Sequence, residues 1–304
     1  MIRLEKCLLC PRQCGANRLM GQTGYCGMTA EVTIARASLH MWEEPCISGT
    51  NGSGTVFFTG CPLRCVFCQN RQIAIGNTGT RITVERLSEI FLELQHKGAH
   101  NINLVTPTHY VPQIVEALKR AKKNGLSVPI VYNTGSYEKV DTIRMLEGLI
   151  DIWLPDCKYY GKELATRYSN APDYFEVANA AIAEMVRQAG SPVFEGELMK
   201  RGVIVRHMIL PGHTKDSRMV IEKLHKCYGD KIYISIMNQY TPLTQMESFP
   251  EINRRITARE YDKVVDYAIS INVENAFIQE GETAKESFIP DFVSGIGIEK
   301  QEEL

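Results

Sequence analysis

Three cysteines in the first quarter of the chain have the type and spacing that could support redox chemistry. Cys61, Cys65 and Cys68 form a Cys-x3-Cys-x2-Cys motif directly after the predicted strand 55–59. Thiolates at this spacing can hold three irons of a [4Fe-4S] cluster, and the absent fourth cysteine leaves one iron open to an exogenous ligand. The alternative is a zinc knuckle completed by a distant Cys or His, because thiolates at these spacings also suit tetrahedral zinc. The open ligand position favours a catalytic cluster.

A second set of cysteines lies closer to the amino terminus. Cys7, Cys10, Cys14 and Cys26 fall within 20 residues of one another. Four ligands can close a metal site, so we expect zinc or an auxiliary iron-sulfur cluster with a structural or electron-relay role. Disulfides are the alternative, and ten cysteines in 304 residues are too few for a disulfide scaffold. The other cysteines are isolated in sequence and are expected to be plain buried thiols: Cys46, Cys157 and Cys227.

Composition limits the classes of partner. Lys and Arg number 34 against 35 Asp and Glu, so the formal net charge is -1 and nothing electrostatic favours nucleic acid. The hydrophobic fraction of 44% and the charged fraction of 23% are those of an ordinary globular protein. No apolar run reaches the roughly 18 residues that a membrane span requires, and no secretory signal is present. We therefore expect a cytoplasmic protein with no nucleic-acid or membrane partner.

Short β-rich runs alternate with amphipathic runs, as expected for repeated βα units around a parallel sheet. The predicted strands are 55–59, 101–105, 128–133, 150–154, 203–210 and 231–237. The predicted helices are 84–98, 111–125, 136–146, 171–188, 217–227 and 257–271. Thr83 is the predicted N-cap of the first helix, and the loop 48–54 is the expected boundary between an amino-terminal piece and the barrel. Six strands match the number in a partial barrel, whose active site lies at the carboxyl ends of the strands.

The segment GTVFFTGCPLRCVFCQN resembles the signature of the radical S-adenosylmethionine (SAM) superfamily. Together with CLLCPRQCGANRLMGQTGYCG it is similar to the PflX-type group, relatives of pyruvate formate-lyase-activating enzymes, and the likeness extends from Cys7 to FIPDF at 288–292. The resemblance implies an α/β fold, a partial (β/α)6 barrel of the TIM type. We expect a cysteine-rich metal-binding module at 1–50 and the radical SAM barrel with a carboxyl-terminal extension at 51–304.

The resemblance also implies the cofactors, a [4Fe-4S] cluster and SAM, which chelates the open iron. Phe67, which precedes the last cysteine of the motif, is expected near the adenine of SAM; an ordinary core Phe is the alternative. Related activating enzymes end the second strand in Gly-Gly-Glu, whereas this chain has Thr106, Pro107 and Thr108 there. Thr106 and Thr108 are the expected replacements, because a backbone contact needs no particular side chain. His109 faces either the substrate or solvent.

Other polar residues lie at the ends of later strands. Asn133 and Thr134 end the third strand and Asp156 ends the fourth, positions that activating enzymes use near the SAM carboxylate. A surface ion pair with Lys158 is the alternative for Asp156. Strand alternation places Asp156 on the face that points into the barrel.

The fifth and sixth strands each contribute one further candidate. Arg206 interrupts an apolar run in the fifth strand, and a buried Arg is costly unless it meets an anion. The resemblance suggests the SAM carboxylate as that anion. Gln239 follows the sixth strand, where activating enzymes often place a histidine.

By resemblance the activity is reductive cleavage of SAM followed by hydrogen abstraction. The expected hydrogen donor is a glycyl-radical enzyme, with another peptide or a small metabolite as alternatives. The resemblance further implies a low-potential electron donor such as flavodoxin or ferredoxin. A different class of function also remains open, that of a non-catalytic metal-sulfur binding or regulatory protein. Release of 5′-deoxyadenosine distinguishes the enzyme from this alternative.

Overall fold

The computed structural model describes residues 4–76, 78–279 and 292. Within these residues ten strands form one sheet, in the order β10-β9-β8-β6-β5-β4-β2-β1-β3, with β7 paired to β8. The strands are β1 Val32–His40, β2 Ser53–Phe58, β3 Thr80–Ile82, β4 Ile102–Val105, β5 Ile130–Thr134, β6 Ile152–Pro155, β7 Val193–Glu195, β8 Leu198–Met208, β9 Tyr233–Met237 and β10 Ala276–Ile278.

The centre of the sheet is parallel and curves as an open, partial barrel, which confirms the predicted fold class. All six predicted strands are present, as β2, β4, β5, β6, β8 and β9. Strands β2, β4, β5 and β6 are buried along their whole length. Burial on both faces explains why apolar and polar residues do not alternate strictly along them. A further parallel strand, β10, pairs with β9, and β1 pairs antiparallel with β2.

Helices cover the parallel strands. In the described part of the chain they are α1 Pro45–Ser48, α2 Arg71–Ala74, α3 Val84–His96, α4 Val111–Lys123, α5 Val140–Arg144, α6 Lys162–Ser169, α7 Tyr174–Ala189, α8 Thr214–Tyr228 and α9 Ala258–Ser270. Thr83 caps α3 by accepting a hydrogen bond from the Arg86 amide, as predicted. The apolar stripe of α3 is fully buried against the sheet.

Several local expectations differ from the structure. The helix predicted over 136–146 is reduced to α5, because Ser136 has a φ of 62° and the backbone becomes helical only at Val140. Helix α6 has no counterpart among the predicted helices. Cys227, expected to be buried, is exposed on α8, whereas Cys46 and Cys157 are buried as expected.

The first 50 residues are not isolated from the sheet. Strand β1 precedes the expected boundary, yet it pairs with β2, which follows it. The paired residues run from His40 opposite Ser53 to Ile34 opposite Phe58. The division at residue 50 stays a prediction. The segments 280–291 and 293–304, with most of the FIPDF stretch and the expected extension, lie outside the described residues. No helix in the described part of the chain is long and apolar enough to cross a membrane.

Candidate active site

A cavity of about 240 Å³ opens at the carboxyl ends of the parallel strands. Active sites of α/β barrels are built at this end, because the loops that follow the strands converge there. The cavity wall contains the three cysteines of the motif and the seven residues that the resemblance assigns to the cofactor: Cys61, Cys65, Cys68, Phe67, Thr106, Asn133, Thr134, Asp156, Arg206 and Gln239. The structure therefore brings together residues separated by almost 180 positions in the sequence.

The cysteine loop begins at a residue that must be glycine. Gly60 has a φ of 89°, and a Cβ there would lie 2.8 Å from the carbonyl oxygen of Cys26. Both the left-handed backbone and this close contact exclude a side chain. Two backbone amides of the loop, those of Leu63 and Arg64, point at the sulfur of Cys61 from 3.4 and 3.5 Å. The loop thus wraps around its first thiol.

A partly buried ionic network lies at the same cavity as the cysteine loop. Asp156 accepts hydrogen bonds from Arg206 Nε at 2.9 Å and from Lys158 Nζ at 2.6 Å. Arg206 also donates to Asn133 Oδ1 at 2.6 Å and to Glu43 at 3.3 Å. Asp156 and Lys158 thus form a partly buried ion pair at the cavity, with side chains 16% and 20% exposed. The role of Asp156 toward SAM stays a prediction.

The charges of this network compensate one another. Burial alone would lower the pKa of Lys158, but Asp156 and then Cys65 more than offset this effect, so its pKa is raised. Burial would raise the pKa of Asp156, yet Arg206 and Lys158 bring it below its usual value. Two cations and two carboxylates share a site that would be costly for any one of them alone. Asp156, Lys158 and Arg206 are therefore charged at neutral pH.

Hydroxyl groups at the ends of β4 and β5 converge on one carboxyl group. Glu138 Oε1 accepts hydrogen bonds from Thr108 at 2.7 Å, Thr134 at 2.6 Å and Tyr132 at 3.2 Å. Burial raises the pKa of Glu138 to about 7, although the three hydroxyl groups act in the opposite direction.

Thr106, also at the cavity, has a φ of 57°, which is strained for a β-branched residue. Strain of this kind is typical of ligand sites.

Phe67 lies in an aromatic cluster at the cavity wall. Its ring makes T-shaped contacts with Tyr159, Tyr168 and Tyr240 at centroid distances of 6.0 to 6.3 Å.

His109 does not face solvent, because it is 2% exposed and its Nε2 lies 2.7 Å from the carbonyl oxygen of Thr59. Burial, with a smaller effect of Arg18, lowers the pKa of His109 to about 3. His109 is therefore a neutral structural residue behind the cavity.

A family model for the radical SAM superfamily matches residues 55–225, more than half of the chain. The match contains the three cavity cysteines and the strands from β4 to β8. The chain belongs to the radical SAM superfamily. Enzymes of this superfamily use a [4Fe-4S] cluster and SAM.

Known relatives and structures show further similarity. Over 281 residues the chain is 27% identical to the uncharacterized protein MJ0674 of Methanocaldococcus jannaschii, covering 89% of this chain and 76% of that protein. It is similar to Streptococcus suis SuiB bound to S-adenosylmethionine, with 16% identity, a TM-score of 0.49, and coverage of 74% of this chain and 49% of SuiB. It is also similar to anSMEcpe with bound AdoMet, with 13% identity, a TM-score of 0.49, and coverage of 70% and 57%. The chain spans about half of the length of SuiB.

The cavity of this radical SAM protein fits the cluster of its superfamily. Burial raises the pKa of Cys61 to about 11 and that of Cys68 to about 12, so without iron both thiols would be neutral. Coordinated iron removes this penalty, because a metal deprotonates a thiol that binds it. The ammonium group of Lys158 acts electrostatically on all three thiols of the motif. A cation and three thiols at one wall suit an anionic iron-sulfur group.

The amino-terminal cysteines lie near one another but remain an untested metal site. Burial raises the pKa of Cys10 to about 12, and nearby Cys26 and Cys7 act in the same direction. Gly24 has no room for a side chain because of the sulfur of Cys14. Within residues 4–76, 78–279 and 292, no three His, Cys, Asp or Glu side chains are grouped so that they could hold a single metal ion. The second metal centre stays a prediction.

Three residues at or next to the cavity are not among the site residues predicted from the sequence. Glu43 bonds Arg206 and Asn103, and it precedes the barrel in a stretch without strand periodicity. Lys158 is visible in the sequence as the partner of Asp156, but its electrostatic effect on the three thiols depends on the fold. Glu138 lies four residues after Thr134, and a predicted helix start at Ser136 concealed the turn that buries it.

Proposed function

We propose that this chain cleaves SAM reductively at a [4Fe-4S] cluster bound by Cys61, Cys65 and Cys68. The observation that carries the proposal is one cavity lined by these three thiols and by the polar ends of five further strands. When bound, the cluster and SAM supply one electron and a sulfonium, from which methionine and a 5′-deoxyadenosyl radical form. The protein side chains orient SAM and keep water away from the radical.

The ionic network is proposed to bind the methionine part of SAM. Lys158 uses one of its three donors on Asp156, so its ammonium group can also bind a carboxylate. Asp156 accepts one hydrogen bond on each oxygen and keeps lone pairs for an amino group. Arg206 donates from three nitrogen atoms to protein groups. We therefore assign Arg206 mainly to holding Asp156 and Asn133 in place, and Lys158 to the SAM carboxylate.

The remaining wall residues are proposed to bind the rest of SAM. Phe67 packs in T-shaped geometry against three tyrosines and borders the cavity, where it offers an apolar side chain for the adenine. Thr106, Thr134 and Gln239 border the same cavity and provide hydrogen-bonding groups. The contact of Thr106 is assigned to its backbone, which is turned by the positive φ.

We propose a polypeptide as the hydrogen donor, specifically the backbone glycine of a glycyl-radical enzyme. The support is the resemblance to activating enzymes, with a flavodoxin or ferredoxin as the electron donor. The test incubates reduced protein and SAM anaerobically with glycyl-radical proteins from the same cell and records electron paramagnetic resonance. A glycyl doublet supports the proposal. Formation of 5′-deoxyadenosine stimulated only by a small metabolite would contradict it, and no formation at all would favour a non-catalytic metal-sulfur protein.

We also propose that Cys7, Cys10, Cys14 and Cys26 hold a second metal centre, zinc or an iron-sulfur cluster. Four thiols within 20 residues can close a site without help from the barrel. Metal analysis of a variant that lacks the three cavity cysteines is the direct measurement. One zinc or about one cluster of iron per chain is expected. Neither metal in anaerobically prepared protein would indicate free thiols.

A further inference from the structure

We infer that Ser169 sets the reduction potential of the catalytic cluster by donating a hydrogen bond to the sulfur of Cys65. The inference rests on the proposed function, because it requires a cluster on the three cavity cysteines. Ser169 is the last residue of α6, and its Oγ lies 3.0 Å from Cys65 Sγ. The two residues are 104 positions apart, and Ser169 is 2% exposed. Water therefore does not compete for this hydrogen bond.

A buried tyrosine fixes the direction of the hydrogen bond. The hydroxyl oxygen of Tyr159 lies 2.8 Å from Ser169 Oγ, and Tyr159 is fully buried. A serine hydroxyl has one hydrogen to donate, and a metal-bound thiolate can only accept. Ser169 therefore donates to Cys65 and accepts from Tyr159. Chains of this kind polarise their members and strengthen each hydrogen bond.

Arg12 of the amino-terminal cysteine segment connects Ser169 to the cysteine loop. It donates to the carbonyl oxygen of Ser169 at 2.8 Å and to that of Pro62, next to the first cysteine of the motif, at 2.9 Å. Its guanidinium lies over the rings of Tyr25 and Tyr137, 4.0 and 4.9 Å from their centroids. Arg12 stands between Cys10 and Cys14, so the amino-terminal cysteine segment is connected directly to the catalytic loop. Arg12 is thus a positioning residue.

The hydrogen bond from Ser169 to Cys65 should raise the reduction potential of the cluster. Reduction of the cluster by one electron, taken from a low-potential donor of the flavodoxin or ferredoxin class, adds one negative charge and breaks no bond. A hydrogen bond to a ligand sulfur stabilises this added charge and raises the potential. Loss of the Ser169 hydroxyl should favour the oxidised cluster about tenfold, which for a one-electron couple corresponds to a midpoint about 59 mV lower.

The test is a potentiometric titration of the cluster in the full-length holoprotein without SAM, followed by electron paramagnetic resonance. Ser169→Ala should lower the midpoint by about this amount, and Ser169→Thr, which keeps the hydroxyl, should restore it. Ser88→Ala is the matched control, because Ser88 is buried in α3 and its hydroxyl has no partner within the described residues. Equal midpoints for wild type, Ser169→Ala and Ser88→Ala would overturn the inference.

Two further variants keep the inference testable. If Ser169→Ala does not assemble the cluster, Tyr159→Phe leaves the serine hydroxyl but removes the donor to it and the tyrosine's own interaction with Cys65. A shift in the same direction is expected. Arg12→Gln should also lower the midpoint, whereas Arg120→Gln on α4 should not. If the wild type shows no cluster signal, the proposed function is refuted. If the wild type has a cluster and all these variants have the same midpoint potential as the wild type, only this inference is refuted.

Discussion

Replacement of Glu138 by Gln should remove one component of the pH dependence of stability. Burial raises the pKa of this carboxyl group from 4.5 to about 7. Between these values the folded chain keeps a proton that the unfolded chain has lost, so the free energy of unfolding falls as pH rises. At about 1.4 kcal/mol per pH unit the loss amounts to about 3 kcal/mol, complete once pH exceeds the folded pKa. Gln keeps an oxygen for the three hydroxyl donors but has no proton to lose.

The assay is urea unfolding of wild type and Glu138→Gln at matched metal loading, from about pH 5 to about pH 7.5. The difference in unfolding free energy between variant and wild type should rise with pH and level off above the folded pKa. Glu184→Gln is the control: Arg187 lowers the pKa of Glu184 to about 2, so this residue is ionised throughout the range. The Glu184→Gln substitution should change the free energy of unfolding by the same amount at every pH. Parallel curves for wild type and Glu138→Gln would refute the burial argument.

Three other substitutions test the site. Arg206→Met should lower the free energy of unfolding by up to about 3 kcal/mol, because it leaves Glu43 without its cation and Asp156 with Lys158 alone. The exposed Arg120→Met should cost less than about 1 kcal/mol in the same urea titration. Thr106→Gly should raise stability by about 1 kcal/mol by relieving its positive φ, and calorimetric titration should show an unchanged Kd for SAM. Lys158→Met should weaken SAM binding by about tenfold or more at constant cluster content, the scale of a charge-assisted hydrogen bond.

The sequence predicted the strands that position the site better than the contacts inside it. Buried parallel strands are rich in apolar and β-branched residues, so the residue that follows each strand, such as Asp156, could be placed at the cavity. Glu43 could not, because its partner Arg206 lies 163 positions away and no local pattern connects them. Arg12 is similar: it stands within a cysteine motif, but the carbonyl groups it binds become neighbours only when the chain folds. Such contacts depend on tertiary packing.

The Arg206 interaction shows how a local argument can be incomplete. A lone Arg in an apolar strand correctly predicted a buried anion. Burial demands a counter-ion but does not specify whether it comes from a ligand or from the protein. In the structure Asp156 and Glu43 supply it. The role of Arg206 toward SAM is therefore proposed as indirect.

The most direct test of the central claim is anaerobic incubation of the chemically reduced holoprotein with SAM. Release of 5′-deoxyadenosine is measured for wild type, for a triple Ala variant of Cys61, Cys65 and Cys68, and for Cys227→Ala as the exposed-cysteine control. Wild type and the control should release 5′-deoxyadenosine, and the triple variant should release none above background. A triple variant that still releases it, or a cluster-loaded wild type that releases none, would contradict the account.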